Sequence, residues 1–480
     1  MKPPALILLA ALFLTTLAAP AQTPTPPQTP PQTWVDADTG HRVIRLTPEP
    51  QSTGFYFNVN AYTPDGQKMI YTAPDGIHVL NLVTRQTRLL VPNPPAAPGD
   101  DPMTRFRRNV HAIIVGHKTP SIFYSQFDPV AKASTVYKAN IDTGEITRLV
   151  TLPPAAGSVA TVNADETLAA GTMNDGPAVA PEYGANLASP TGTPARRQAP
   201  TGAQSGTLVQ PEGKGEMMER RLASRQPLIL YTINLQTGKM TTLLHSTDWV
   251  NHLLFSPTDP NLLMYCHEGP WQKVDRIWLI HSDGTGNTLI HHRTFAQEIA
   301  GHEFWGVDGK TLWYDWQPIK GQDFYLAGYT VATGLRRALH MDRNDWSIHF
   351  NVTADESLFT GDGGDPGQVA KAPDGEFIEL FHPQMIHVDG INQPGFIQPG
   401  IFHAEHLVNM SWHNYKLEPN VRFSPDNKLV IFTSNMFGPS YVFGVEVAKA
   451  INPKPEEVIS SPTLAARYNP TKPKPTGPNK

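Results

Sequence analysis

Pro419-Asn420-Val421-Arg422-Phe423-Ser424-Pro425-Asp426-Asn427-Lys428-Leu429-Val430-Ile431-Phe432-Thr433 reads as a strand, a tight turn and a second strand. Pro425 fixes φ at the first central turn position, Asn427 tolerates a positive φ, and the apolar run after it favours a strand over a helix. The same phrase recurs at Asn251 to Cys266, Gly301 to Trp316 and Ile348 to Gly363. In each copy one polar residue stands four positions before the first turn residue: His252 before Ser256, His302 before Gly306, His349 before Thr353 and Asn420 before Ser424. A lone histidine in a sheet is ordinarily a packing or hydrogen-bonding residue. A shared position in a repeat is what sets these four apart.

Related turns at Thr63-Pro64-Asp65-Gly66 and Asn163-Ala164-Asp165-Glu166 extend the pattern towards the N-terminus. Hairpin turns begin at Asn140, Asn234, Ser282 and Val331, spaced by one or two units of roughly 45 to 50 residues, the period of a propeller blade. About seven such units fill Trp34 to Val447, so the expected fold is all-β, a seven-bladed β-propeller. The first strand of each blade then lines a central channel, and His252, His302, His349 and Asn420 share one mouth of it. His267, at the end of a second strand, reaches the same mouth. Side chains alternate along a strand, which puts Glu418 and Asn420 on one side with His413 a few residues upstream. An imidazole, a carboxylate and an amide oxygen could there close on one metal ion.

The chain has 480 residues, 40% hydrophobic and 17% charged, with a formal net charge of -5. A large core is possible, and the weak acidity offers no electrostatic case for nucleic acid. Met1-Lys2, an apolar run to Ala18 and Ala19-Pro20-Ala21 read as a signal peptide over residues 1–21, giving a periplasmic or secreted protein. Beyond it come a Pro/Thr/Gln-rich linker at 22–33, the propeller at 34–450 with an inserted loop at 176–225, and a flexible Pro/Lys-rich tail at 451–480. Cys266 is the sole cysteine, so neither an intrachain disulfide nor a lipid-bearing cysteine near the cleavage site is expected. No other stretch is apolar for long enough to insert in a membrane.

At Cys266-His267-Glu268-Gly269-Pro270, Gly301-His302-Glu303-Phe304-Trp305 and Leu358-Phe359-Thr360-Gly361-Asp362-Gly363 the sequence resembles the oligogalacturonate lyase family. The resemblance runs from Gly40-His41-Arg42-Val43 through Tyr62-Thr63-Pro64-Asp65-Gly66 to the last repeat. It implies a seven-bladed propeller that cuts short pectin fragments with the help of a divalent metal, typically manganese. By that likeness His302 matches the general base, Arg276 the active-site arginine and His349 a metal-ligand histidine. Where the family places two metal-binding histidines this chain has Glu418 and Asn420. Tyr415 stands near the place of a glutamine ligand, and His413 could compensate. Oxygen donors in place of imidazoles favour Mn2+, Mg2+ or Ca2+ over zinc.

These groups suit β-elimination across C4 and C5 of a uronate. A cation and Arg276 at the carboxylate stabilise the enolate-like charge while a neutral imidazole, His302, takes the C5 proton. His252 and His267 are placed to bind substrate or to protonate the leaving oxygen, and Arg221 and Arg225 of the insertion to hold further carboxylates. The expected substrate is a short oligogalacturonate or related oligouronate. The competing reading is a noncatalytic periplasmic propeller that binds a glycan or a protein on the same rim. A propeller joined to a serine hydrolase lacks support, since no Gly-x-Ser-x-Gly elbow is present.

Overall fold

Short segments rich in Val, Ile, Tyr and Phe give this chain its strands, many of them buried along nearly their whole length, as in Leu228–Asn234 and Leu429–Ser434, and most strands are joined by tight turns to an antiparallel neighbour. The computed structural model describes residues 29–177, 179, 213–365, 370, 372–387 and 395–470. The proposed signal peptide, most of the linker, most of the 176–225 insertion and the last ten residues of the tail lie outside them.

The described residues are mostly β, as expected, and in four of the six sheets the spatial order of strands is their order in the chain. A three-stranded sheet holds Lys68–Ala73, Gly76–Asn81 and Thr87–Pro92. Four-stranded sheets begin at Val110–Val115, at Val159–Val162 and at Trp249–Phe255. An eight-stranded sheet consists of two antiparallel runs of four, one starting at Ile299–Trp305 and the other at Asn351–Val352. They are joined where Leu335–His340 pairs parallel to Ile397–Asn409. In the remaining sheet the N-terminal strand His41–Arg45 pairs antiparallel with the C-terminal Tyr441–Lys449, so the two ends of the fold are stitched together.

First strands of neighbouring sheets lie side by side. Val159–Val162 touches both Val110–Val115 and Trp249–Phe255, and Asn351–Val352 touches Arg422–Phe423. Between successive sheets the apolar faces merge: Ile113, Phe123, Leu254, Met264, Trp305 and Leu312 belong to one buried cluster. Non-strand residues Phe55 to Asn60 run across the first strands. Arg422, buried, donates to the carbonyls of Phe55, Tyr56 and Val59, and Asn58 Nδ2 donates to the carbonyl of Glu303.

Two expectations need revising. Residues 451–470 are not a loose tail: the helix Ser461–Tyr468 buries Leu464 and Ala465, and Ser461 Oγ donates to Asp36 Oδ2 at 2.6 Å while accepting from Trp34 Nε1 at 3.0 Å. The apolar i, i+1 pair beside a capping Ser460 is enough to hold a short helix against the core. The described end of the insertion is likewise a helix, Lys214–Ser224, rather than a loop.

Candidate functional site

The four repeated positions share an unusual backbone. His252, His302, His349 and Asn420 have φ of 48°, 47°, 51° and 55°, in the left-handed region. For a residue with a Cβ this costs about 1–3 kcal/mol, so the surrounding sheets over-determine it. In two cases the cause is visible in the pairing. Asn251 pairs with Cys266 and Leu254 with Met264, while Gly301 pairs with Asp315 and Phe304 with Trp313. Each is a bulge with one extra residue, which re-aims the histidine relative to its neighbours on the strand.

Two of the histidines are oriented identically. His302 Nδ1 lies 2.9 Å from Asp315 Oδ2 and His349 Nδ1 lies 2.8 Å from Asp362 Oδ2. Each aspartate is fully buried and sits 13 residues after its histidine, across the hairpin. Because a carboxylate only accepts, Nδ1 carries the proton in both rings and Nε2 is left to act outwards. The rings meet edge to face with centroids 4.9 Å apart. Oδ1 of both aspartates is buried and has no hydrogen-bond partner among the described residues. Burial opposes a charge on His349, but Asp362 beside it outweighs burial and moves its pKa upward.

Around His349 the donors are fewer than the sequence suggested. Glu418 Oε2 is 3.8 Å from His349 Nε2, and the Tyr56 hydroxyl is 3.4 Å from it. Asn420 is committed at both ends of its amide: Oδ1 accepts from the Phe57 N–H at 3.0 Å and Nδ2 donates to the Glu418 carbonyl at 3.0 Å. His413 stands apart, buried, with Nε2 2.7 Å from the Leu417 carbonyl and Nδ1 3.1 Å from Ser434 Oγ. Burial lowers its pKa to about 4, so it is a neutral internal linker with no nitrogen to spare. For a cation the available set is therefore His349 and Glu418. An Nε2 aimed by a buried carboxylate, with a half-exposed carboxylate opposite, fits a hard ion that keeps water or substrate oxygens in its remaining positions.

Next to this pair lies a buried ionic group. Arg276 Nη1 donates to Glu268 Oε1 at 3.0 Å and Nε to Glu303 Oε2 at 3.2 Å, and all three side chains are at most 5% exposed. Burial works against the charge on Glu268, yet Arg276 and His252 hold its carboxyl well below the usual carboxylate range. His252 Nε2 lies 3.0 Å from Glu268 Oε2. Arg276 thus faces two protein carboxylates rather than an open pocket. Trp271 meets the His302 ring edge on at 5.4 Å and closes that side.

Further out, His267 stacks on Trp278 with its Nδ1 3.4 Å from Asp248 Oδ2. Arg225 pairs with the other oxygen of Asp248, and Arg221 lies over the Trp249 ring at 3.6 Å. The helix carrying Arg221 is tied through Glu219 to Lys273, two residues from Trp271. A cavity of about 390 Å3 occupies the turn ends of the first strands, lined by Pro257, Gly306, Ala354 and Pro425, with Phe57 and Asn58 between it and the histidines.

Five participants were not singled out from sequence: Tyr56, Glu268, Glu303, Asp315 and Asp362. The last two were detectable in principle, since both follow a repeated histidine by the same 13 residues. Tyr56 comes from a non-repeating segment and left no such trace.

The family model for oligogalacturonate lyase matches residues 221–451. An oligogalacturonide lyase of Pectobacterium atrosepticum is 28% identical over 228 residues, 46% of this chain and 56% of that protein. An oligogalacturonate lyase of Dickeya dadantii is 29% identical over 230 residues, with the same shares. The chain spans little more than half the length of these curated relatives. Among solved structures, an oligogalacturonate lyase in complex with manganese superposes with a TM-score of 0.63 at 22% identity, covering 87% of this chain and 96% of the other. An oligogalacturonate lyase from Vibrio parahaemolyticus gives the same values. At that identity the likeness speaks for the fold. Every site residue described above falls within the matched segment except Tyr56, Phe57, Asn58 and Glu219.

Proposed function

We propose that the chain, whose residues 221–451 match the oligogalacturonate lyase family model, acts as a member of that family and cleaves short oligogalacturonates, or related oligouronates, by β-elimination. One observation carries the reading: two imidazoles lie 4.9 Å apart, each with Nδ1 held by a buried aspartate and Nε2 left to act. In this scheme His302 Nε2 accepts the C5 proton of the uronate, the C5–H electrons form the C4=C5 double bond, and the C4–O bond breaks. The proton gained by His302 is stabilised through its other nitrogen by Asp315. The leaving oxygen needs a proton in return. The Tyr56 hydroxyl, protonated at neutral pH and 3.4 Å from His349 Nε2, is the group assigned to that donation.

His349 and Glu418 would hold a divalent ion, Mn2+ in the first instance, with Mg2+ or Ca2+ as alternatives. When bound, such an ion neutralises the uronate carboxylate and lowers the cost of negative charge at C5. Arg276 contributes by holding Glu268 and Glu303 in place next to His302. Arg221, Arg225, His252 and His267 lie where the further units of an oligouronate would run.

The architecture that supports this is a seven-bladed propeller. Counting the eight-stranded sheet as two blades of four strands gives seven units, and the shared sheet of His41–Arg45 and Tyr441–Lys449 would close the ring. Export to the periplasm or medium rests on the pattern of residues 1–21. The test is to incubate the purified chain with di- and trigalacturonate, with and without Mn2+, and follow the absorbance of the unsaturated uronate. His302→Asn should abolish product. A folded wild-type protein that yields no unsaturated end group from any oligouronate would end the proposal.

A further inference from the structure

Away from the histidine pair, Asp345, Glu379 and His406 bring three metal-type donors together. Their ligand atoms all lie within 4.8 Å of one another. Asp345 closes the short turn Arg343–Asp345, and Glu379 of Phe377–Met385 stands directly across from His406 of Ile397–Asn409. His406 Nε2 is 3.5 Å from Glu379 Oε1 and 3.8 Å from Asp345 Oδ1. Its ring lies flat on Phe377, centroids 4.0 Å apart and planes within 15°, which sets the direction of Nε2.

Glu379 is the anomaly. It is fully buried, and neither carboxylate oxygen has a hydrogen-bond partner among the described residues. A buried carboxylate without partners is costly, by several kcal/mol or more if charged. Protonation alone does not answer this: it would give one oxygen a long contact, 3.5 Å, with His406 Nε2 and leave the other oxygen without a partner. A cation does answer it: Glu379 gains a charged partner shared with His406 and Asp345, and the two carboxylates neutralise its double charge. The spacing agrees, since a tetrahedral ion with bonds of about 2.0–2.1 Å sets its donors about 3.3 Å apart. His406 and Asp345 are partly exposed, at 40% and 20%, and so leave a way in.

We propose that Asp345, Glu379 and His406 form a second divalent-cation site, sharing no residue with the His349 pair and suited to a borderline transition ion such as Zn2+. One imidazole with two carboxylates matches that class better than Mg2+ or Ca2+, which prefer oxygen alone. Its place in the fold gives it a role. Asp345 lies four residues before His349, and Glu379 pairs with Gly361, the neighbour of Asp362. The ion pins the chain entering His349 to the sheet that carries its aspartate.

The experiment uses the full chain, stripped with a chelator that is then dialysed away, and titrated with ZnCl2 by calorimetry, with thermal unfolding in parallel. Wild type and His349→Ala should both bind a zinc equivalent that raises Tm. His406→Ala and Glu379→Gln should each lose that equivalent or bind it at least 100-fold more weakly, with the Tm rise gone. His406 is half-exposed, so its variant folds even if the buried one does not. Unchanged zinc stoichiometry and affinity in His406→Ala would overturn the site. So would binding that vanishes in His349→Ala while persisting in His406→Ala.

Discussion

Replacing Asp315 with Asn should cripple turnover while leaving the fold intact. The carboxylate lies 2.9 Å from His302 Nδ1, so when Nε2 takes a proton the imidazolium and carboxylate charges are about 4 Å apart. At an effective dielectric constant near 20 that attraction amounts to about 4 kcal/mol, which Asn cannot supply. The tautomer suffers too. With its NH2 turned to Nδ1, Asn moves the ring proton to Nε2 and blocks the base. With its oxygen turned to Nδ1, the NH2 takes the place of Oδ1, where no partner stands, at about 1–3 kcal/mol. The combined effect on kcat is a loss of about a thousandfold or more, with KM for trigalacturonate nearly unchanged because Asp315 is buried behind the ring. Steady-state release of unsaturated uronate measures it, and a melting curve within a few degrees of wild type certifies the fold. A folded Asp315→Asn protein with kcat within tenfold of wild type would show that His302 is not the base.

Other outcomes follow from the same geometry. Glu418→Gln should weaken Mn2+ binding at least tenfold by calorimetry, since it removes the one carboxylate facing His349 Nε2. Arg276→Met should destabilise the protein by about 3–5 kcal/mol in urea unfolding, because Glu268 and Glu303 are left buried without their cation. His413 gives a pH signature. Burial holds its folded pKa at about 4 against an ordinary 6.5, so the unfolded chain takes up a proton that the folded chain refuses. Stability from this group is therefore fully present above pH 6.5 and falls by roughly 3 kcal/mol as the pH drops towards 4. His413→Gln should lack that part of the decline in denaturation curves taken across this window.

What the chain itself spelled out was periodic. Pro and Asn at the turns, β-branched runs after them and a polar residue four places before each turn are local facts. A repeated strand–turn–strand unit turns such facts into strands, so His252, His302, His349 and Asn420 were given one equivalent position by counting alone. The flexible-tail reading of 451–470 failed for a different reason: the overall Pro/Lys richness of the segment masked a capped Leu-Ala-Ala-Arg helix, and what holds that helix, Trp34 and Asp36, lies more than 400 residues away in sequence. Which polar groups are spent inside the fold was also beyond the sequence. His413 and Asn420 carry the right atoms for a metal, but bonds to Leu417, Ser434, Phe57 and Glu418 use those atoms up. Arg276 turned out to answer two buried glutamates, and Tyr56 entered the site from an irregular segment crossing the sheets. Residue type and spacing tell where a donor is carried; only packing tells whether its lone pair or proton is still available, because hydrogen bonds are allotted among neighbours distant in the chain.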